Sequence, residues 1–279
     1  MGYCGKIYYM NEQQYVIDSI RKDLPSEYLE ECGKIDTRLT KVNTKDDEYW
    51  VFRPPTIEPN KRLEIPKGNY WKIAKEFDFL LEELKGFDIN IPTYEVFVSD
   101  FHTKEGVRGT GLCIASKYIH GECLPINECD GKWENNKCLF YETMDTWVEN
   151  MTKYSIAKYL CVDESPKFLS DVFRPIQFVY SYDQKKIYLV DLDPLFSNIL
   201  DENGNISQRF LISLTTLNSV RNRYFNRGYS DGVIDKKWGK KSKELMENFL
   251  LKSDFIDKVD KSEESQRILR NLIRRVQYS

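Results

Sequence analysis

Asp191 closes the apolar run Ile187-Tyr188-Leu189-Val190 and is followed by Leu192-Asp193-Pro194. A strand is rigid and its end is open, so a carboxylate there suits a divalent metal, which takes hard oxygen ligands. An ordinary Asp-Pro turn is the other reading. A second chemistry-bearing stretch lies downstream. There Arg221, Arg223 and Arg227 interleave with Tyr224, Phe225 and Tyr229, and Lys236, Lys237, Lys240 and Lys241 surround Trp238. Cations among aromatic rings suit phosphates and stacked bases, and equally an acidic protein partner. Helices that show Lys to solvent while aromatics fill a core give the same pattern. Soft-metal chemistry is not expected. The seven cysteines include no CxxC pair, and only His102 and His120 are present. Although His120 lies near Cys123, the spacing of Cys123, Cys129 and Cys138 is not that of zinc ligands, which leaves structural thiols in a reducing compartment.

The elements that must position these residues follow from periodicity. Residues 11–31 are spaced as a helix interrupted at Pro25, and residues 48–53 as a strand stopped by Pro54-Pro55. From Asn69 to Lys85, the apolar stripe Trp71, Ala74, Phe77, Leu81 and Leu84 predicts a helix that Gly86 stops. Two strands, 91–98 and 111–115, form a hairpin candidate across a turn holding Gly106 and Gly109. A long helix is expected over 140–161, then a hairpin of 178–180 with 187–190. From about Gln208 the chain reads as helical and basic, with sixteen Lys and Arg against nine Asp and Glu in residues 205–279. The final amphipathic stretch, Ile268 to Val276, most simply packs on the body of the protein.

Composition bounds the class. The 279 residues are 41% hydrophobic and 14% aromatic, enough to bury a sizeable core as one large domain or two lobes. Charged side chains nearly cancel, to a net charge of -3, which argues against disorder and against a protein that coats nucleic acid with its whole surface. No apolar run reaches the length of a signal peptide core or a membrane span, so a cytoplasmic protein with no membrane partner is expected.

The order of these segments resembles that of the protein-kinase-like superfamily. Ala115-Ser116-Lys117-Tyr118-Ile119-His120-Gly121-Glu122 is similar to the family's hinge, whose exposed backbone bonds the adenine edge. Val190-Asp191-Leu192-Asp193 is similar to the metal-binding loop, with Asp193 where the family has Gly. Phe168 to Val179 resembles the catalytic loop, in which an Asp accepts the substrate proton and a downstream Asn holds the second magnesium. Arg174-Pro175 matches the usual Lys-Pro, and Gln177 stands in place of the Asn. Asp171 is one residue too far from Gln177, and a register set by Arg174-Pro175 puts Val172 in the base position. Arg53 falls where the phosphate-gripping Lys belongs, with Lys61 as its substitute, and Glu76 resembles the helix Glu that pairs with that cation. Solvated charges are the other reading of Lys61 and Glu76. No GxGxxG is present, and Gly33 alone opens the region of the glycine loop.

The resemblance implies an α+β, two-lobed fold with a small strand-rich N-lobe and a larger helical C-lobe. The resemblance covers roughly residues 33–200; on the domain reading, residues 1–32 are a helical extension, 33–116 the small lobe with one helix, and 117–279 the helical large lobe with basic C-terminal helices. ATP and Mg2+ are the implied cofactors, with Lys117, Tyr118 and Ile119 at the adenine and Arg53, Lys61 and Glu76 at the phosphates. Asp191, Gln177 and Asp193 hold metal, and Asp171 is the base. A phosphotransferase of atypical kinase type is one expectation and a catalytically inactive pseudokinase-like binding protein another. A nucleic-acid-binding α+β protein using the basic 221–241 stretch, with Arg221, Arg223, Arg227, Lys237 and Lys240 as partner-binding residues, is the third.

Overall fold

Tyr94–His102 and Arg108–Lys117, each with a run of apolar residues, form the longest strand pair among the described residues, antiparallel and in register from Tyr94 opposite Ser116 to His102 opposite Arg108. These are strands β3 and β4. Strand β2, Tyr49–Arg53, lies on the other side of β4, and β1, Thr40–Asn43, pairs with β2. The order is therefore β1-β2-β4-β3, antiparallel throughout. The computed structural model describes residues 40–43, 49–53, 70–102, 108–124, 137–161, 167–192, 196–235 and 237–277. The expected extension over 1–32, together with Gly33, Lys61, Asp193 and Lys236, lies outside the described residues.

Helix α1, Tyr70–Gly86, follows the expected stripe, and Ala74, Phe77, Leu80, Leu81 and Leu84 are all buried. The Tyr94 hydroxyl donates to Asp78 Oδ1 at 2.7 Å, which ties the helix to the edge of the sheet. The chain divides into two compact units. Described residues up to Leu81 and Ile91–Ile119 make the first, while Glu82–Asn90 and the residues from His120 onward make the second. The end of α1 groups with the second unit. The reason is chemical. Glu83 bonds Lys158 at 2.8 Å, and Phe87 packs edge-on against Tyr154 with ring centroids 5.7 Å apart.

The second unit is mainly helical. Helix α2, Lys137–Leu160, buries Phe140, Tyr141, Met144, Trp147, Met151 and Tyr154. A three-stranded sheet runs in the order β5-β7-β8, from Glu122–Cys123, Phe178–Ser181 and Lys186–Leu189. Its central strand β7 is buried at all four positions, with Trp147 edge-on to Phe178 at 4.7 Å. Strands β6, Lys167–Leu169, and β9, Phe196–Asn198, form a separate two-stranded ladder. Helix α3, Gln208–Ser230, opens on Ser207, whose side chain accepts the Phe210 N–H at 3.3 Å. Helices α4, Lys240–Lys252, and α5, Glu263–Gln277, complete the unit. As its pattern predicts, α5 buries Ile268, Leu269, Leu272 and Val276 and exposes Arg270, Arg274 and Arg275. No helix among the described residues is long and apolar enough to cross a membrane.

Candidate functional site

The described part of residues 167–198, in the second unit, holds three of the residues singled out in the sequence, Asp171, Gln177 and Asp191. The chain enters along β6 and passes through two 3₁₀ turns, Ser170–Phe173 and Pro175–Gln177. It then runs through the β7–β8 hairpin and reaches Asp191 two residues after β8 ends. Leu169 pairs with Phe196 and Lys167 with Asn198, so the strand leading into the turns lies beside the strand leaving the Asp191 loop.

Gln177 and Asp191 are brought together by main-chain bonds. The Gln177 carbonyl accepts the N–H of Val190 at 2.9 Å and that of Asp191 at 3.3 Å. Gln177 is 3% exposed, and its Oε1 accepts no hydrogen bond among the described residues. Such an orphaned amide oxygen costs about 1–3 kcal/mol unless a ligand takes it up. Asp191 is half-buried. Sequence reading missed Asn90. Its carbonyl accepts the Leu189 N–H at 2.9 Å and its Nδ2 donates to the Ile187 carbonyl at 3.0 Å, bracing the strand that carries Asp191. An isolated Asn after the positive-φ Asp88 carries no sequence signal for that task. No group of three or more His, Cys, Asp or Glu side chains that could hold a metal occurs among the described residues.

Asp171 sits inside the first 3₁₀ turn and is 8% exposed. Its carbonyl accepts the Arg174 N–H at 3.0 Å, and its carboxylate lies 3.5 Å from Arg174 Nε. The Asp171 carboxylate is therefore paired with the neighbouring guanidinium. Val172, the residue in register with the base position, is buried at 4% exposure. Ile176, between Pro175 and Gln177, is 61% exposed.

The hinge-like segment crosses the division between the units. In the first, Lys117 is exposed, and its N–H donates to the Thr93 carbonyl at 2.7 Å; Tyr118 is half-buried and Ile119 buried. In the second, Gly121 precedes β5, where Glu122 pairs with Tyr180. A Cβ on Gly121 would lie 2.2 Å from the Tyr180 carbonyl oxygen, so only glycine lets the chain pass this close to β7. The Gly of the Tyr-Ile-His-Gly run is thus a packing requirement. Arg53 ends β2 opposite Ile114, and Glu76 lies half-buried on α1.

The basic C-terminal residues separate by burial. Arg221 is 2% exposed, with Nη2 donating to the Arg275 carbonyl at 3.1 Å and to Asn222. Burial lowers its pKa to about 10, against the opposing pull of Glu247. Arg221 is an internal strut between α3 and α5. Arg223, Arg227, Lys237 and Lys240 are exposed. Of the interleaved aromatics, Tyr224 and Phe225 are buried, while Tyr229 and Trp238 are half-buried and joined by a bond from the Tyr229 hydroxyl to the Trp238 carbonyl.

No protein-family model matches the chain, and no curated protein matches its sequence.

Proposed function

We propose that the chain is an ATP- and magnesium-dependent phosphotransferase of atypical kinase type, with the first unit as the small lobe and the second as the large lobe of a protein-kinase-like fold. The observation that carries this reading is the pair of bonds from Val190 and Asp191 to the Gln177 carbonyl. They join a strand-end carboxylate to a buried amide whose Oε1 accepts no hydrogen bond among the described residues. One carboxylate and one amide oxygen fit a hard cation that keeps several waters, which is how magnesium is usually held. Bound magnesium supplies charge neutralisation on the transferring phosphoryl group.

The chain's own residues do the rest. Asp191 and Gln177 fix one end of the site, held rigid by Asn90 and the β7–β8 hairpin. The kinase-like resemblance implies that Arg53 or Lys61 would grip phosphate oxygens and that Glu76 would pair with that cation. Lys117, Tyr118 and Ile119 would line the adenine edge; because the Lys117 N–H already donates to the Thr93 carbonyl, adenine would have to bond other groups. Catalysis on this reading comes from positioning and electrostatics.

A second reading, a pseudokinase-like binding protein, is favoured by the Asp171–Arg174 pair and by buried Val172 in the base register. Radiolabelled ATP with magnesium separates the two. An active enzyme gives autophosphorylation or phosphate release that Asp191→Ala abolishes and Asp171→Asn reduces by roughly a hundredfold or more, the usual scale of a general base. Nucleotide binding without either product supports the inactive protein. Absence of nucleotide binding removes both.

A further inference from the structure

Three adjoining hollows cross the C-terminal helices of the second unit. The first, about 450 Å³, is lined by Arg221, Tyr229, Trp238, Lys240 and Lys243, and by Asn222 at its edge. The next, about 410 Å³, is lined by the same Asn222 with Asn271, Arg274 and Arg275. A third, about 630 Å³, shares Arg274 and adds Arg270, Ile273 and Gln277. The shared side chains make them one track. Among the described residues two carboxylates line it, and each lies beside a lysine: Glu244 is 3.7 Å from Lys240, and Glu247 is 3.9 Å from Lys243. With Arg221 buried, five accessible cations against two acids among the described lining residues make a positive strip on a chain whose net charge is -3.

Much of the strip is rigid. The carbonyls at the end of α5 are taken up by Arg221 and Asn222 at Arg275 and by Lys243 at Gln277. The guanidinium groups of Arg270 and Arg274, one turn apart on α5, are exposed, as is Arg275. The track is remote from Asp171. Phe210 of α3 packs on Phe168, beside the Asp171 turn, at 5.2 Å between ring centroids. Asn222 lies about 18 Å further along the same helix at 1.5 Å per residue.

We infer that this track binds single-stranded nucleic acid, independently of the nucleotide site. Arginine forks match phosphate oxygens two at a time. Half-buried Trp238 and Tyr229 at one end offer stacking faces, and the amides of Asn271 and Gln277 can bond base edges. An acidic peptide would use the cations and leave the rings and amides without a role.

The test is fluorescence anisotropy with the full chain and a fluorescein-labelled single-stranded DNA of mixed sequence, about 20 nucleotides long to cover several phosphate contacts. Binding at low salt should weaken linearly on a log–log salt plot, with a slope of about 0.7 per phosphate contacted. Arg270→Glu with Arg274→Glu, both at exposed positions, should weaken binding at least tenfold and reduce the slope by about 0.7 for each lost contact. Arg270→Gln with Arg274→Gln should move both in the same direction by less. Lys261→Glu with Arg267→Glu, exposed cations outside the track, should change affinity less than about twofold if the contacts are local. The inference is overturned by absence of binding at low salt or by equal losses in the two charge-reversed pairs. It is also overturned if polyglutamate of matching charge displaces the DNA equally well, which would identify an acidic protein as the occupant. The probe carries no triphosphate, so a failure of ATP binding does not bear on this result.

Discussion

Buried polar atoms are the sharpest features at the scale of single residues. Gln177 Oε1 and the Tyr154 hydroxyl are both buried without a hydrogen bond among the described residues. They differ in surroundings. The Gln177 carbonyl is bonded to the main chain of Val190 and Asp191, whereas Tyr154 lies on the inward face of α2 against Phe87. Tyr154→Phe removes an uncompensated hydroxyl and keeps the ring, so chemical denaturation should show it about 1 kcal/mol more stable than wild type. A loss of stability would mean that the hydroxyl has a partner. Gln177 is named in the sequence through its register after Arg174-Pro175, and its burial shows only in the fold. Asn90 was not legible: it acts through its backbone carbonyl and one amide proton on a strand 97 positions away. Arg221 was misjudged for a related reason. Its neighbours Tyr224 and Phe225 turn inward, and the arginine goes with them.

Elements with a clear period were readable, and those too short to show one were not. Helix α1, the β3–β4 hairpin, α2 and the β7–β8 hairpin lie close to where hydrophobic spacing puts them. Strands β5, β6 and β9, of two or three residues, carry no alternation and appear only through their partners. Yet β6 and β9 are what frame the Asp171 and Asp191 loops. The end of α1 shows how an element is recruited to a unit that its sequence position does not suggest. Lys158 Nζ, on a side chain only 9% exposed, bonds both Glu83 oxygens, at 3.1 and 2.8 Å. Glu83→Gln leaves this ammonium buried without its counter-charge. Because Glu83 is 28% exposed, the expected cost is about 2 kcal/mol, below the 3–5 kcal/mol of fully buried pairs. The double variant Glu83→Leu with Lys158→Met should recover most of the loss in urea unfolding. A double variant as unstable as the single one would show that packing around α2, not charge, sets the cost.

For the molecule as a whole, charge couples stability to pH. Burial raises the pKa values of Tyr154 and Tyr159 above the ordinary tyrosine range, with Glu83 and Asp254 respectively adding to the effect. A group whose folded pKa is raised keeps its full contribution below its unfolded pKa and loses it as pH rises. Stability should therefore fall above about pH 10, by up to about 1.4 kcal/mol per pH unit for each tyrosine. Urea midpoints measured from pH 8 to 11 should drop in wild type and drop less in Tyr159→Phe; parallel profiles would exclude these tyrosines as the cause. At this scale the α+β class and the helical, basic C-terminal third were legible from composition and period. The positive track was only partly so, since its members come from three helices that the sequence does not align.

The central claim is that Asp191 and Gln177 form a magnesium-dependent nucleotide site, and a thermal unfolding titration with ATP tests it directly. With magnesium present and ATP at about 100 times its Kd, mass action adds about 2.7 kcal/mol and should raise Tm by several degrees. Most of that rise should vanish when magnesium is omitted or in Asp191→Ala. An unchanged Tm across the whole ATP range, or an equal rise in Asp191→Ala, would contradict it.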